Sequence, residues 1–161
     1  MSVEIRPATL RDTCFIAANM RQEDRREALA TIAVSSMTEI GVLSYLGSPD
    51  TEWNGVLDGL PVAAFGYAPR GNSQPHLCSV WAWGTERFRR VVPAITRFCL
   101  ANWPEMMAKG GIWRGEIRSL ADHDIAHSWL ASLGAKREGL LRSYGVNGED
   151  FELWSVLQED F

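Results

Sequence analysis

The stretch Leu77-Cys78-Ser79-Val80-Trp81-Ala82-Trp83, closed by Gly84-Thr85, decides the fold. A strand sends alternate side chains to opposite faces. Here Leu77, Ser79, Trp81 and Trp83 point one way, and Cys78, Val80 and Ala82 point the other. Nearly all are apolar, so neither face suits water. The pattern predicts a central strand covered by a layer on each side.

Upstream, WNGVL (53–57) and LPVAAFGYA (60–68) flank Asp58-Gly59. That dipeptide between two β-like runs predicts a tight hairpin, because both central residues of the turn need positive φ. Further back, Thr9 and Asp12 form a capping-box pattern ahead of Leu10, Cys14, Ala17 and Ala18 at helical spacing. A helix is predicted over 10–20. After the charged segment RQEDRRE (21–27), Leu29, Ile32 and Ala33 predict a second helix. Ser36 and Glu39 open a short third one ending near Gly47. Val3 to Arg6 is an extended start stopped by Pro7.

Downstream, Val91, Ile95, Phe98 and Leu100 predict a helix with Pro93 in its first turn, closing near residues 102–104. A strand follows over 112–120. Asp122 or His123 opens a helix with Ile125, Ala126, Trp129, Leu130 and Leu133, and Gly134 stops it. Two last β runs, GLLRSYG and DFELWSVL, are predicted to pair through a hairpin at Asn147-Gly148. Leaving out the short third helix, the order read along the chain is β, α, α, β, β, β, α, β, α, β, β. It describes a mixed α/β (α+β) domain with an antiparallel meander in its middle.

The chain has 161 residues, which fits one domain spanning 1–161. With 46% hydrophobic and 22% charged residues, it can bury a core without staples. The formal net charge is -4, which argues against a nucleic-acid wrapper. No apolar run reaches the ~20 residues of a membrane span, and the opening MSVEIRPATLRD has no apolar leader. Cys14, Cys78 and Cys99 are odd in number and widely spaced, as expected of free thiols. Seven Trp against three Tyr are unusual. Trp53, Trp81, Trp83, Trp113 and Trp154 fall on predicted strands, Trp129 on the last helix and Trp103 just after the preceding one. This distribution reads as core filling, with Trp83 alone at a strand end.

The element order resembles the GNAT fold of acetyl-CoA-dependent N-acetyltransferases. VEIRPATLRD looks like that superfamily's first strand and helix start, and DIAHSWLASLGAKREG like its last-helix motif. More narrowly, the chain is similar to phage-encoded GNAT-like proteins that include internal virion proteins of podoviruses. Met20-Arg21 before Asp24, SVWAWGT, SWLASLGA and GEDFELWSV carry this resemblance.

The resemblance implies a mostly antiparallel central sheet flanked by four to five helices, acetyl-CoA as cofactor and an amine acceptor, small molecule or protein. Val80, Trp81, Ala82, Trp83, Gly84 and Thr85 would line the pantetheine arm, with Ser119 on the partner strand. The loop 84–90 would hold the pyrophosphate through Arg87, Arg89 and Arg90. It also implies a place in the host cytoplasm or in the virion, with phage proteins as partners. The sequence leaves the oligomeric state open.

The chain departs from the superfamily in three places. Arg90 and Val92 stand where the phosphate loop has glycines, Leu130 where many members have a catalytic tyrosine, and His123 where an asparagine is common.

Each candidate has a plainer alternative. Glu23, Asp24 and Glu27 are acceptor-side carboxylates able to take an amine proton, or an ion-paired helix face beside Arg21, Arg25 and Arg26. His127 is an acid or base, or with His123 a polar helix cap. His123, His127, His76 and Cys78 lack the intervening glutamate of a zinc helix motif, so no metal is assigned. Tyr144 is a proton donor, or a ring packed on the sheet with its hydroxyl at the edge. A GNAT-fold protein that has lost catalysis, and serves as a virion or host-interaction protein, is the alternative function.

Overall fold

A computed structural model describes residues 1–161 throughout. The elements are β1 (Val3–Pro7), α1 (Leu10–Ala18), α2 (Gln22–Thr31), α3 (Met37–Gly47), β2 (Glu52–Leu57), β3 (Leu60–Pro69), β4 (Leu77–Gly84), α4 (Phe88–Gly110), β5 (Arg114–Leu120), α5 (Asp124–Ser132), β6 (Lys136–Leu141) and β7 (Phe151–Leu157). One seven-stranded sheet has the order β1-β2-β3-β4-β5-β7-β6. Its only parallel pair is β4 with β5, joined by the crossover through α4. The three helices ahead of β2 include the short third one, and five helices flank the sheet in all.

The local signals act as predicted near their own positions. Asp58 and Gly59 have φ of 50° and 82°, and Leu57 pairs with Leu60 across them. Thr9 accepts the Asp12 N–H, and Ser36 that of Glu39. Such caps contribute about 1 kcal/mol each. α1 stops at Ala18, two residues early, and Asn19 carries its C-cap. Gly134, at φ 84°, follows α5 as a stop.

Both faces of β4 are covered. Trp83 packs with Ile16, Ala17, Met20, Met37, Ile40 and Ala64 under α1 and α3. Val80 and Ala82 abut the larger cluster of Phe88, Val91, Ile95, Cys99 and Trp103 from α4. Yet residues 79–82 are only half-buried, while Leu77, Cys78, Trp83 and Gly84 are buried. The strand is central, but the sheet opens beside its middle.

Three expectations are corrected. α4 does not begin near Pro93 or close at residues 102–104. It runs from Phe88 through Pro93 and Pro104 to Gly110, and Gly111, at φ 62°, ends it. Each proline removes one ladder hydrogen bond. The buried row Phe88, Val91, Ile95, Cys99, Trp103 and Met107, at helical spacing, offsets that loss. Trp103 therefore sits inside the helix.

Asn147-Gly148 is not a two-residue hairpin turn. β6 and β7 are joined by residues 142–150. Side chains brace that loop: Asp150 accepts the Ser143 N–H, and Glu149 that of Asn147. Trp113 precedes β5, is 63% exposed and packs at a tilt against His76 instead of filling the core.

Candidate active site

β4 and β5 pair only at Leu77↔Arg114, Cys78↔Gly115 and Ser79↔Glu116. Beyond that point β4 keeps its ladder with β3 as far as Gly84, and β5 keeps its ladder with β7 as far as Leu120. The two strands splay into a V. A cleft of about 520 Å³ runs through it. On one side it is walled by Val80, Trp81, Ala82 and Trp83, and on the other by Glu116, Ile117, Arg118 and Ser119. It extends beneath α2 and α3 on one face, at Ile32 and Leu43, and between α4 and α5 on the other, at Cys99 and Trp129.

α2 straddles the V. Asp24 Oδ2 accepts the Gly84 N–H at 2.9 Å, at the tip of β4. One helical turn later, Glu27 Oε2 accepts from Leu120 N and Ser119 Oγ, both at 2.8 Å, at the tip of β5. Residues three apart on a helix share a face, so two carboxylates hold two strand ends apart. Arg21 completes the first contact. It pairs in a fork with Asp24 at 2.8 Å, donates its N–H to Gly84 O, and lays its guanidinium over the Phe88 ring. Burial pushes the Asp24 carboxyl up, against the pull of Arg21. Gly84 has no room for a side chain: a Cβ would lie 2.6 Å from Val62 O.

The strand edge inside the V is partly free. Thr85 N–H bonds to Val62 O on β3. Successive residues turn their backbone groups to opposite edges, so Gly84, Ala82 and Val80 turn theirs toward β5. Those of Gly84 are engaged by Asp24 and Arg21. Those of Ala82 face the opening, past the last β4–β5 pair.

The loop after β4 is less available. Phe88 N–H bonds to Thr85 O, Arg90 N–H to Arg87 O and Arg87 N–H to Thr85 Oγ1. Arg87, Arg89 and Arg90 are exposed. What this loop presents to solvent is guanidinium charge more than a backbone cradle.

The other predicted residues separate. Asp24, Ser119, Tyr144 and Val80 to Trp83 line the cleft. Glu23 is exposed on α2 and does not line it. Trp83 lines the cleft without filling it, since its ring is buried among α1 and α3 side chains and stacks on Trp81 at 5.5 Å. Trp81 Nε1 donates to Ser48 Oγ. His127 stacks on Trp154 with Nδ1 3.4 Å from Glu152, outside the cleft wall. Tyr144, in the β6–β7 loop, packs edge-on against Phe151 and under the Arg118 guanidinium. Leu130 is buried in the cleft wall. No three metal-ligating side chains come together. Burial pushes the Cys78 and Cys99 thiols up to about 12.

Two features escaped the sequence. Glu27 also receives His123 Nδ1 at 2.9 Å, and this bond raises the imidazole above its ordinary value despite burial. Glu27 Oε1 has no hydrogen-bond partner. The second feature is a charged mouth. Arg118 donates to Glu116 at 2.8 Å, and Arg70 lies 3.6 Å from the same oxygen. The alternation Arg114-x-Glu116-x-Arg118 is the sequence signal for it, because residues two apart on a strand share a face.

No protein-family model and no curated protein sequence matches the chain. Solved structures do resemble it. A GNAT-family acetyltransferase from Streptococcus pneumoniae matches with a TM-score of 0.66 at 14% identity, covering 97% of this chain and 99% of that one. yncA from Salmonella typhimurium, solved with its cofactor acetyl-CoA, gives 0.68 at 12% identity over 98% and 95%. A ribosomal-protein-alanine N-acetyltransferase from Brucella melitensis gives 0.68 at 18% identity over 96% and 99%. The likeness spans nearly the whole chain in each case, and the chain has the GNAT acetyltransferase fold.

Proposed function

We propose that the protein is an acyl-CoA-dependent N-acyltransferase. One observation carries the reading: the V between β4 and β5 opens a through-cleft beside the free backbone edge at Ala82. An extended amide arm entering from the α4–α5 side can pair with that edge as a short strand does. Acetyl-CoA would supply an activated thioester carbonyl at this point.

Glu27, with Oε1 free in the cleft wall, is the base in this reading, in place of Glu23 or of the engaged Asp24. It accepts the proton of the acceptor amine as the amine nitrogen forms its bond to the acyl carbon. Tyr144 is the phenol in the cleft wall and the donor assigned to the leaving thiolate as the carbon–sulfur bond breaks. Arg87, Arg89 and Arg90 would meet the phosphates by charge. The residues fit the pantetheine portion better than the pyrophosphate portion.

Calorimetric titration with acetyl-CoA tests the reading, followed by transfer assays on a panel of primary amines. Binding with turnover is expected. No heat and no thermal shift at millimolar acetyl-CoA overturns it.

One observation favours a second reading, in which the fold persists without chemistry. The Gly84 backbone and the Arg87, Phe88 and Arg90 N–H groups already have partners within the chain. Such a protein would be phage-encoded and act in the virion or on host proteins in the host cytoplasm. Its detection by mass spectrometry in purified particles would support that role, and robust acetyl transfer would count against it.

A further inference from the structure

The acceptor side of the cleft is apolar with one charged corner. Trp81, Ile32 and Leu43 supply apolar surface. The corner holds three arginines and two glutamates. Arg114 is fully engaged: both terminal nitrogens fork onto Glu138 and its Nε donates to Glu116. Arg118 makes one hydrogen bond, to Glu116, and Arg70 makes one, from Nε to Ser79 Oγ. A guanidinium has five N–H donors. Three cations against two carboxylates leave one unit of positive charge, concentrated on Arg70 and Arg118. Arg70 follows the end of β3 and Arg118 lies on β5, and both line the cleft. Tyr144 under the Arg118 guanidinium limits its motion. The lining carboxylate Glu27, with a free oxygen, stands at the other arm's tip.

We propose that the acceptor is an amino carboxylate with an apolar body: its amine faces Glu27, and its carboxylate is held by Arg70 and Arg118. The inference rests on the acyl-transfer reading and names the substrate class of that same site. A carboxylate accepting two charge-assisted bonds from a partly dried arginine corner gains affinity that a plain amine lacks. An amine without the carboxylate leaves the one surplus positive charge of this corner unmatched. Discrimination of roughly ten- to a hundred-fold follows from one or two such bonds.

The test pairs each acid with its decarboxylated amine: L-leucine with isoamylamine, and L-phenylalanine with phenethylamine. The acids are expected to show kcat/KM ten-fold or more above the amines, mainly through KM. In R118Q, and separately in R70Q, that ratio should collapse toward one, with R118K intermediate. Equal turnover of both members of each pair overturns the inference and leaves acyl transfer standing. If no amine is acetylated, binding decides. Calorimetry without cofactor should then show L-leucine binding and isoamylamine not binding. Absence of binding by both, or equal binding, overturns the carboxylate site.

Discussion

Asp24 and Glu27, one turn apart on α2, hold the ends of two strands that have parted: Asp24 takes the Gly84 N–H of β4 and Glu27 the Leu120 N–H of β5. The same helix face therefore sets the width of the cleft. The two carboxylates are struts of the opening, and Glu27 alone keeps an oxygen without a hydrogen-bond partner.

Removing the first strut should be costly. Asp24→Ala leaves the Arg21 guanidinium, only 10% exposed, without its partner, and frees the buried Gly84 N–H. Breaking such a pair costs about 3–5 kcal/mol. Urea unfolding should show a loss of stability of that size, with a lower midpoint. Asp24→Asn, which keeps an acceptor for Gly84, should lose less.

The second strut is also the proposed base. Glu27→Gln should lower kcat about a hundred-fold, with KM little changed. The His123 imidazole should fall toward its ordinary value, since the Glu27 bond is the main cause of its rise. An NMR titration of the His123 ring in both proteins measures this. A raised histidine stabilises most below its unfolded value near 6.5, and the benefit fades as pH rises through the folded value. The stabilisation from this pair should therefore decline with rising pH in the native protein, and the variant should lack that decline.

Glu52 supplies a separate pH dependence. It is buried beneath α1 and takes a hydrogen bond from Thr13, but its Oε2 has no partner. Burial lifts its carboxyl to about 7 from 4.5. Between those values the native state binds the proton that the unfolded state has released, so stability falls as pH rises. The loss amounts to roughly 3 kcal/mol across the window. Glu52→Gln should flatten the profile and be the more stable protein at pH 8. Urea melts at pH 5 and pH 8 provide the comparison.

The thiols should divide by burial. Cys78 and Cys99 are buried and pushed up to about 12, whereas Cys14 is half-exposed. At pH 8 a disulfide reagent should modify one thiol in the native protein, Cys14, and three in denaturant. Fast native labelling of Cys99 would mean that the cleft between α4 and α5 opens widely in solution.

Signals confined to a few residues could be read directly. The Asp58-Gly59 turn, the Thr9 and Ser36 caps, the Gly134 stop and the alternation from Leu77 to Trp83 each depend on backbone preference or on period. They specified the elements, their approximate order and the centrality of β4. The resemblance in element order then named the architecture. α4 departs from its local signals because two prolines speak locally for a break, while the buried row from Phe88 to Met107 acts only once the sheet is present. Asn147-Gly148 departs from its signal because a turn-forming pair says nothing of the braces at Ser143 and Asp150 that lengthen the loop.

The cleft belongs to tertiary structure alone. Nothing near Ser79 announces that pairing with β5 stops there, since that depends on α2 reaching both strand tips across 60 and 93 residues of chain. The same separation hid Glu27 against His123 and Arg70 beside Arg118. By itself the sequence determined the kind and order of most elements and which faces are apolar, because those preferences are local. Which carboxylate is a strut, which keeps a free oxygen and where positive charge gathers were decided by contacts that exist only in the folded chain.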